Sequence, residues 1–433
     1  MKVTVIGGGS TYTPELIQGF LQRVSTFPMR ELCLMDVEPQ RLEIVGGFVQ
    51  RIVDAWDNPF KVVCTTDRPE AIKGASYVVS QIRVGMMQAR KEDEYLGARH
   101  GLVGQETTGM GGMAKALRTI PVLLDVADDI LSYAPDAFLV NFTNPAGLIT
   151  EALQTYRPAL KSIGVCNVPI TAKMTILDGL KALTGKTYDP SKAQLDTLGL
   201  NHLSWHRGFS VDGEDVWPDV YEAFLKENEK EQEWNESLLE ALHLIPNYYL
   251  HYYYNTKHKL AEQKVWPPSR AEEVMQVEEE LLTLYQDPAL DSVPDALMKR
   301  GGAYYSTMAT QLLNAIENDS GEIHVVNTRH LGAVPGWPED WVVELPCVID
   351  KEGAHPIPTD ALPTVCNGLV AQVKSYEQLT ALAAVTGDKQ ILYQAMLAHP
   401  LGPEADQISV VMEDILRTHR AYLPQFHQRE SLS

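Results

Sequence analysis

The sequence has few cysteines, and their spacing gives no sign of pairing. Five cysteines, an odd number, are scattered widely over 433 residues. They are Cys33, Cys64, Cys166, Cys347 and Cys366. This pattern excludes a disulfide framework and favours a reducing compartment. The N-terminal segment MKVTVIGGGS runs straight into a strand pattern rather than a signal peptide. No apolar run reaches the roughly 20 residues that span a bilayer. We therefore expect a cytoplasmic protein.

Positive charge is also scarce, with 36 Lys and Arg against 57 Asp and Glu and a formal net charge of −21. Such an acidic chain is not expected to bind nucleic acid or an anionic membrane. An anionic small molecule would need a local binding device, either an arginine or a helix N-terminus.

Short apolar runs alternate with helical patterns through the first part of the chain. The predicted strands are residues 2–6, 32–36, 61–65, 77–82, 137–142 and 162–166. Strands that alternate with helices and are apolar on both faces predict a doubly wound parallel sheet. We expect this Rossmann-like, NAD-binding domain to span residues 1–168. No repeat or low-complexity tract interrupts it.

The pattern changes after Pro169. Strand-like stretches lie within residues 193–217 and 321–350, and helical patterns fill residues 218–290 and 366–423. This mixture predicts an α+β domain over residues 169–433, packed closely on the first domain.

A glycine-rich turn follows the first strand. Glycines let a backbone approach a pyrophosphate, and the helix that follows presents aligned N–H groups. Asp36 ends the second strand, where an acid that binds the ribose is expected, and it favours NAD over NADP. The third fingerprint glycine is replaced by Tyr12, and a Gly-rich turn without a cofactor is the alternative. The expected cofactor positions are Gly7, Gly9, Ser10, Thr11 and Asp36.

Polar motifs end other strands, where ligands of open α/β sheets bind. Asn144 lies in an Asn-Phe-Thr-Asn-Pro segment, which can also be an ordinary turn. Cys166 begins a Cys-Asn-Val-Pro segment and finds a partner candidate in His202. A thiolate and an imidazole suit a Zn, Mn, Fe or Co type of ion, although a buried cysteine is more often a small apolar residue.

Several other features have both a functional and an ordinary explanation. The loop 104–112 contains four glycines and either approaches a ligand or is simply flexible. Five tyrosines lie within residues 248–254; they either pack along a helix or include a base with a lowered pKa. Arg90 and Arg270 stand in acidic surroundings and either grip a phosphate or are solvated surface charges.

Together these motifs resemble one family, the NAD- and metal-dependent glycosidases of glycoside hydrolase family 4. The likeness extends over nearly the whole chain. Its motifs are VIGGGSTYTPEL, GQETTG, NFTNP, CNVP, GLNHLSW, RGGAYYST (300–307) and HPLGP (399–403). It implies a Rossmann-like domain followed by a domain of the lactate/malate dehydrogenase C-terminal type, assembled as a homodimer or homotetramer.

The resemblance also implies roles for individual residues. Cys166 and His202 would bind a divalent ion, usually Mn²⁺. Tyr249 would be the catalytic base, and Glu106 would raise its basicity. The implied substrate-binding residues are Arg90, Asn144, Asn167 and Arg270. Of these, Arg90 is the expected ligand of a 6-phosphate.

The implied reaction is hydrolysis of a 6-phospho-β-glucoside, such as cellobiose 6-phosphate, to glucose 6-phosphate and the aglycone. C3 is oxidised with NAD⁺, the C2 proton is removed, the aglycone is eliminated, water adds at C1, and C3 is reduced again. Family members that resemble 6-phospho-α-glucosidases carry an aspartate after the cysteine. Asn167 at this position favours a β-specific enzyme and leaves the general acid unassigned.

Three alternatives remain at this stage. The alternative within the family is a 6-phospho-α-glucosidase or another family 4 glycosidase. A 2-hydroxy acid dehydrogenase would share the fold, but it would need a His–Asp pair and an arginine for the carboxylate, and no metal. A non-catalytic NAD sensor would keep only the cofactor turn.

Overall fold

The computed structural model describes residues 1–300 and 304–427, so positions 301–303 of the 300–307 motif lie outside it. The strands are β1 (Lys2–Ile6), β2 (Glu31–Met35), β3 (Lys61–Thr65), β4 (Tyr77–Ser80), β5 (Phe138–Asn141), β6 (Ser162–Gly164), β7 (Ala193–Leu200), β8 (Leu203–Val211), β9 (Glu214–Asp215), β10 (Ile245–Pro246), β11 (Glu322–Arg329), β12 (Val342–Asp350) and β13 (Gly353–Pro356). The helices are α1 (Thr13–Leu21), α2 (Pro39–Asp54), α3 (Arg68–Ile72), α4 (Met86–His100), α5 (Gly109–Tyr133), α6 (Ala146–Tyr156), α7 (Val168–Thr184), α8 (Trp217–Glu231), α9 (Glu236–Leu242), α10 (His251–Tyr254), α11 (Thr256–Glu262), α12 (Arg270–Leu284), α13 (Tyr305–Glu317), α14 (Thr364–Thr386), α15 (Lys389–Ala398) and α16 (Ile408–Thr418).

The six strands predicted in the first part form a parallel sheet in the order β3–β2–β1–β4–β5–β6. The side chains of β1, β2, β4, β5 and β6 are almost all buried, which explains why the sequence shows unbroken apolar runs there rather than alternation, whereas β3 is a partly exposed edge strand. The strand order reverses between β1 and β4. That switch point opens a crevice at the carboxyl ends of the strands, where such sheets bind dinucleotides. The predicted doubly wound parallel sheet is confirmed.

The sheet does not stop at β6. Strand β11 pairs antiparallel with it at Asn327 and Gly164, and the order continues as β11–β12–β7–β8–β10. The second part of the chain therefore completes the sheet of the first, and both share one core. The division between residues 168 and 169 stays a prediction.

Strands β7 and β8 form a hairpin with a two-residue turn, because Leu200 pairs with Leu203. The turn residues are Asn201 and His202, and His202 has a φ of +64°. A histidine in the left-handed region is uncommon and is concentrated at functional sites, where the surroundings hold it in place.

The tyrosine-rich segment is not one helix, as its packing interpretation required. Residues Tyr248–Leu250 form a 3-10 turn, and α10 follows as a single turn. The helices predicted in residues 218–290 and 366–423 are present. Within the described residues, no helix has the length and apolar character needed to cross a membrane.

Candidate active site

A cavity of about 810 Å³ opens at the carboxyl ends of the parallel strands. It gathers residues that follow β1, β2, β4, β5 and β6, together with residues from the second part of the chain. The predicted site residues in its wall are Gly7, Gly9, Ser10, Asp36, Arg90, Glu106, Asn144, Cys166, Asn167, Tyr249 and Arg270. His202 lies behind this wall, in contact with Cys166 and Tyr249. The structure thus brings together residues that are far apart in sequence.

The glycine turn is shaped for close approach by a ligand. Gly7 has a φ of +92°, and a Cβ there would lie 2.9 Å from the carbonyl oxygen of Gln81. The Gly9 amide donates to Asp36 Oδ2 at 2.8 Å, so the acid is held beside the turn. Helix α1 then begins at Thr13 and points its N-terminus at the cavity, as the cofactor fingerprint requires.

Two positions of the turn depart from expectation. Thr11 is fully buried and does not line the cavity; its carbonyl accepts from the Tyr285 hydroxyl at 2.9 Å. Tyr12, in place of the third glycine, lies under the Arg300 guanidinium at 4.0 Å from the ring centre. The assignment of Thr11 as a cofactor-binding position stays a prediction, and its buried side chain leaves only its backbone to make such a contact.

The donor atoms of the predicted metal pair lie close enough to share an ion. Cys166 Sγ and His202 Nε2 are 3.4 Å apart. With bond lengths of about 2.3 Å to sulfur and about 2.1 Å to nitrogen and an angle of 90–110°, two ligands of one ion lie about 3.1–3.6 Å apart. Burial lowers the pKa of His202 to about 3, which keeps its imidazole neutral, as metal ligation requires.

The chemistry of this pair indicates an open site. Burial raises the pKa of the Cys166 thiol to about 12, so a bound cation must displace its proton. Among the described residues, no group of three or more His, Cys, Asp or Glu side chains could hold an ion. The pair therefore fits a catalytic metal, whose other positions are free for water and substrate oxygens, rather than a closed structural one.

Tyr249 stacks on the His202 ring, with centroids 3.9 Å apart and planes 8° apart. Burial is the largest influence on its pKa and raises it, and the charges of Cys166 and Glu106 raise it further. The protein groups around Tyr249 thus raise the pKa of its phenol, and the hypothesis of a base with a lowered pKa stays a prediction. The effect of Glu106 has the direction that the resemblance implies, since a higher pKa means a more basic phenolate.

Glu106 is surrounded by cations. Lys115 Nζ lies 2.6 Å from Oε2, Arg90 Nη1 lies 3.1 Å from Oε1, and Arg83 also pairs with Oε2. Burial alone would raise the pKa of Glu106, but the three cations outweigh burial and hold it well below its ordinary range. Glu106 is therefore a fixed negative charge near Tyr249.

The two arginines predicted to bind substrate both line the cavity, but they differ in burial and in ion pairing. Arg90 is largely buried, and Glu94 and Glu106 both pair with it, so its guanidinium already has two carboxylate partners. Arg270 is the first residue of α12 and is exposed, with one ion pair to Glu273 at 2.9 Å.

The two asparagines have different local roles. Asn144 accepts from the Ala146 amide at 3.3 Å and precedes a cis proline. Asn167 caps α7. Asn144 follows β5 and Asn167 follows β6, so both residues line the cavity at the ends of neighbouring strands.

Sequence reasoning missed several charged residues in the cavity wall, namely Arg83, Lys115, Glu278 and Arg300. Arg83 follows β4 directly, so the strand-end rule could have found it. Lys115 had a different signal, as a lone cation within the glycine-rich and apolar start of α5. Glu278 and Arg300 pair at 2.5 Å across the second part of the chain, and no local pattern marks that pairing.

Comparisons with known proteins agree with this arrangement. The chain is 43% identical over 441 residues to a probable 6-phospho-beta-glucosidase of Bacillus subtilis, covering 99% of this chain and 98% of that one. A 27% identical relative from the same organism is a maltose-6'-phosphate glucosidase, with 99% and 97% of the two chains covered.

Solved structures show the same fold. The 6-phospho-beta glucosidase of Thermotoga maritima with NAD and glucose-6-phosphate superposes with a TM-score of 0.91 at 36% identity, covering 98% of this chain and 99% of that one. Another structure of that enzyme, with manganese, NAD⁺ and glucose-6-phosphate, gives a TM-score of 0.90 at 35% identity and the same coverage. Malate dehydrogenase of Cryptosporidium parvum, at 14% identity and a TM-score of 0.51 over 89% of this chain and 98% of that one, shares the fold alone. The expected resemblance of the second domain to dehydrogenases is confirmed at this level.

Two family descriptions match nearly the whole chain. Residues 2–182 match "Family 4 glycosyl hydrolase", and residues 197–402 match its C-terminal domain. These matches, and the sequence identity to family members over nearly the full length of the chain, argue against the alternatives of a dehydrogenase and of a non-catalytic NAD sensor. The chain belongs to family 4 of the glycosyl hydrolases.

Proposed function

We propose that this chain hydrolyses 6-phospho-β-glucosides to glucose 6-phosphate and an aglycone, with NAD⁺ and Mn²⁺ as cofactors. The observation that carries the proposal is the pair of donor atoms 3.4 Å apart, Cys166 Sγ and His202 Nε2, beside Tyr249 and in one cavity with the glycine turn. When bound, NAD⁺ exchanges a hydride with C3 of the sugar, and the divalent ion polarises the oxygens on C2 and C3.

The protein's own residues supply the acid–base chemistry. Tyr249 is the base that takes the proton from C2, and its ring is held against His202 at the bottom of the cavity. Glu106 strengthens that base through its negative charge, which Arg83, Arg90 and Lys115 keep in place. No residue in this arrangement is assigned as the general acid.

The 6-phosphate is better matched to Arg270 than to Arg90. Arg90 already balances two carboxylates and lies close to Tyr249, which suits a sugar hydroxyl. Arg270 is exposed in the cavity wall at the N-terminus of a 15-residue helix, where the helix dipole also favours an anion. A chain of net charge −21 needs such a local cation for an anionic substrate.

Asn167 supports β over α specificity. The residue lies next to Cys166 in the cavity wall, and its amide cannot act as an acid for an α-linked leaving group. The greater identity to a 6-phospho-beta-glucosidase than to a maltose-6'-phosphate glucosidase supports the same choice.

A substrate panel tests the proposal. The purified chain with NAD⁺ and Mn²⁺ should release p-nitrophenol from the 6-phosphorylated β-glucoside, and at most weakly from the α-anomer or the unphosphorylated β-glucoside. EDTA should abolish the release, and added Mn²⁺ should restore it. Faster cleavage of the α-anomer would assign the chain to the other specificity within the family.

The proposal also includes the oligomeric state, the cellular location and the domain boundary of the protein. A homodimer or homotetramer follows from the family resemblance, and light scattering on the eluted protein checks it. A cytoplasmic location is supported by five free cysteines. The domain boundary at residues 168 and 169 coincides with the start of α7, and limited proteolysis around that helix tests it.

A further inference from the structure

Glu344 is a buried carboxylate near the start of β12, with only 1% of its surface exposed. Its described partners are all neutral. Asn201 Nδ2 donates to Oε1 at 3.2 Å, Ser204 Oγ donates to Oε2 at 3.0 Å, and Asn327 Nδ2 lies 3.5 Å from Oε1. Burial raises the pKa of Glu344 to about 7, and hydrogen bonds alone oppose it.

Other buried carboxylates of this chain are matched with cations. Glu151 pairs with Lys374 at 3.0 Å, and Glu278 pairs with Arg300 at 2.5 Å. A buried charge without an opposite charge costs several kcal/mol, so proteins seldom keep one without a compensating group. Glu344 differs in that its compensating charge is not a described side chain.

The hydrogen bonds of Glu344 lead to the metal pair. Asn201, which donates to Glu344, also hydrogen-bonds the Cys166 thiol through its side chain, and the next residue is His202. The charge of Glu344 also acts directly on Cys166, where it is the second largest influence after burial. Glu344 is therefore linked to Cys166 and, through Asn201, to the turn that carries His202.

A second arm of the network leads to the tyrosine. Asn247 Nδ2 donates to Ser204 Oγ at 3.1 Å, and Asn247 Oδ1 accepts from the Tyr249 amide at 3.0 Å. One buried carboxylate thus supports both the hairpin turn that carries His202 and the segment that carries Tyr249.

We propose that Glu344 is a positioning and charge-balancing residue for the divalent ion held by Cys166 and His202. A thiolate and a neutral imidazole together bring one negative charge to a dication, which leaves one positive charge in a buried site. The carboxylate of Glu344 cancels that charge and fixes Asn201 against the sulfur. This inference rests on the proposed metal site.

Direct Mn²⁺ titration tests it, with free Mn²⁺ followed by its electron paramagnetic resonance signal. The full-length Glu344→Gln variant keeps the size of the side chain and removes its charge. We expect it to bind Mn²⁺ about 10- to 100-fold more weakly, the usual loss for an outer partner of a metal ligand. The metal-free variant should melt at or above the temperature of the parent, because a buried uncompensated charge has been removed. Saturating Mn²⁺ should restore kcat.

Two further variants separate charge from packing. Glu344→Asp keeps the charge and should retain Mn²⁺ affinity within about threefold of the parent, even if it melts at a lower temperature. If Glu344→Gln does not fold, the Mn²⁺ affinity of Glu344→Asp is the measurement that tests the inference. Glu377→Gln removes another buried carboxylate, one that pairs with Lys374 at 2.6 Å, and should leave Mn²⁺ affinity unchanged.

Each outcome has a distinct meaning. A parent protein that binds no Mn²⁺ overturns the metal site and this inference with it. A parent that binds Mn²⁺, together with a folded Glu344→Gln variant whose affinity lies within twofold, overturns this inference alone. A loss of affinity in Glu344→Asp as large as in Glu344→Gln would show that packing matters and charge does not.

Discussion

Replacing Cys166 by serine should remove one of the two protein ligands of the ion with little other change. The residue is 6% exposed, and its sulfur lies 3.4 Å from His202 Nε2. Apparent binding energies of about 10–16 kcal/mol for four-ligand zinc sites correspond to roughly 3 kcal/mol for each ligand. A serine hydroxyl does not ionise at neutral pH, so most of that contribution should be lost. We expect Mn²⁺ affinity to fall about 100-fold.

The assay is equilibrium dialysis against Mn²⁺, with metal analysis of the protein compartment. The matched control is Cys366→Ser, because Cys366 is also buried, lies in α14 and carries the same cost of burying a hydroxyl. The control should retain the metal. An unchanged metal content in Cys166→Ser would refute the ligand assignment, and equal losses in both variants would show a general effect on folding.

Three other changes test separate parts of the structure. Tyr249→Phe keeps the ring that stacks on His202, so kcat should fall about 10²- to 10⁴-fold while Mn²⁺ binding is retained; a kcat within tenfold of the parent would exclude the phenol as base. Asp36→Asn removes the charge beside the Gly9 amide, so the preference for NAD⁺ over NADP⁺ should narrow about tenfold in fluorescence titrations, and an unchanged preference would contradict the ribose assignment. Lys91 is the largest of the influences that hold the pKa of Glu272 at about 2, so this carboxylate stabilises the fold above pH 4.5 and its contribution is lost as the pH falls from 4.5 towards 2. The free energy of unfolding of Glu272→Gln should therefore depend less on pH between 4.5 and 2 than that of the parent. Identical pH dependence in the two proteins would contradict a stabilising role of the Glu272 carboxylate.

Much of the fold could be predicted because most of its parallel strands are short apolar runs buried on both faces. The parallel strands from β1 to β6 all appear where the sequence places them. The strand-end rule then placed Asp36, Asn144 and Cys166 at one edge, since all parallel strands end there. The resemblance singled out Tyr249 and supported His202 as the partner of Cys166, and no spacing rule connects either residue to that edge.

The remainder depends on contacts between distant segments. Glu344 interrupts the apolar pattern of β12, but nothing local shows that its partners lie on the β7–β8 turn. Lys115 lies near the start of α5, a helix that packs in the core, and only the folded chain shows that it faces Glu106. The tyrosine-rich segment is a 3-10 turn followed by one α-helical turn, and its tyrosine content alone does not show where the Asn247 cap begins that turn.

The most direct test of the central claim is the fate of the C2 hydrogen. The reaction of p-nitrophenyl β-glucoside 6-phosphate is run in D₂O with NAD⁺ and Mn²⁺, and the glucose 6-phosphate formed is analysed by NMR. Removal of the C2 proton by Tyr249 predicts deuterium at C2 of the product. Product formed at full rate with only hydrogen at C2 would contradict the oxidation–elimination route and the role given to Tyr249.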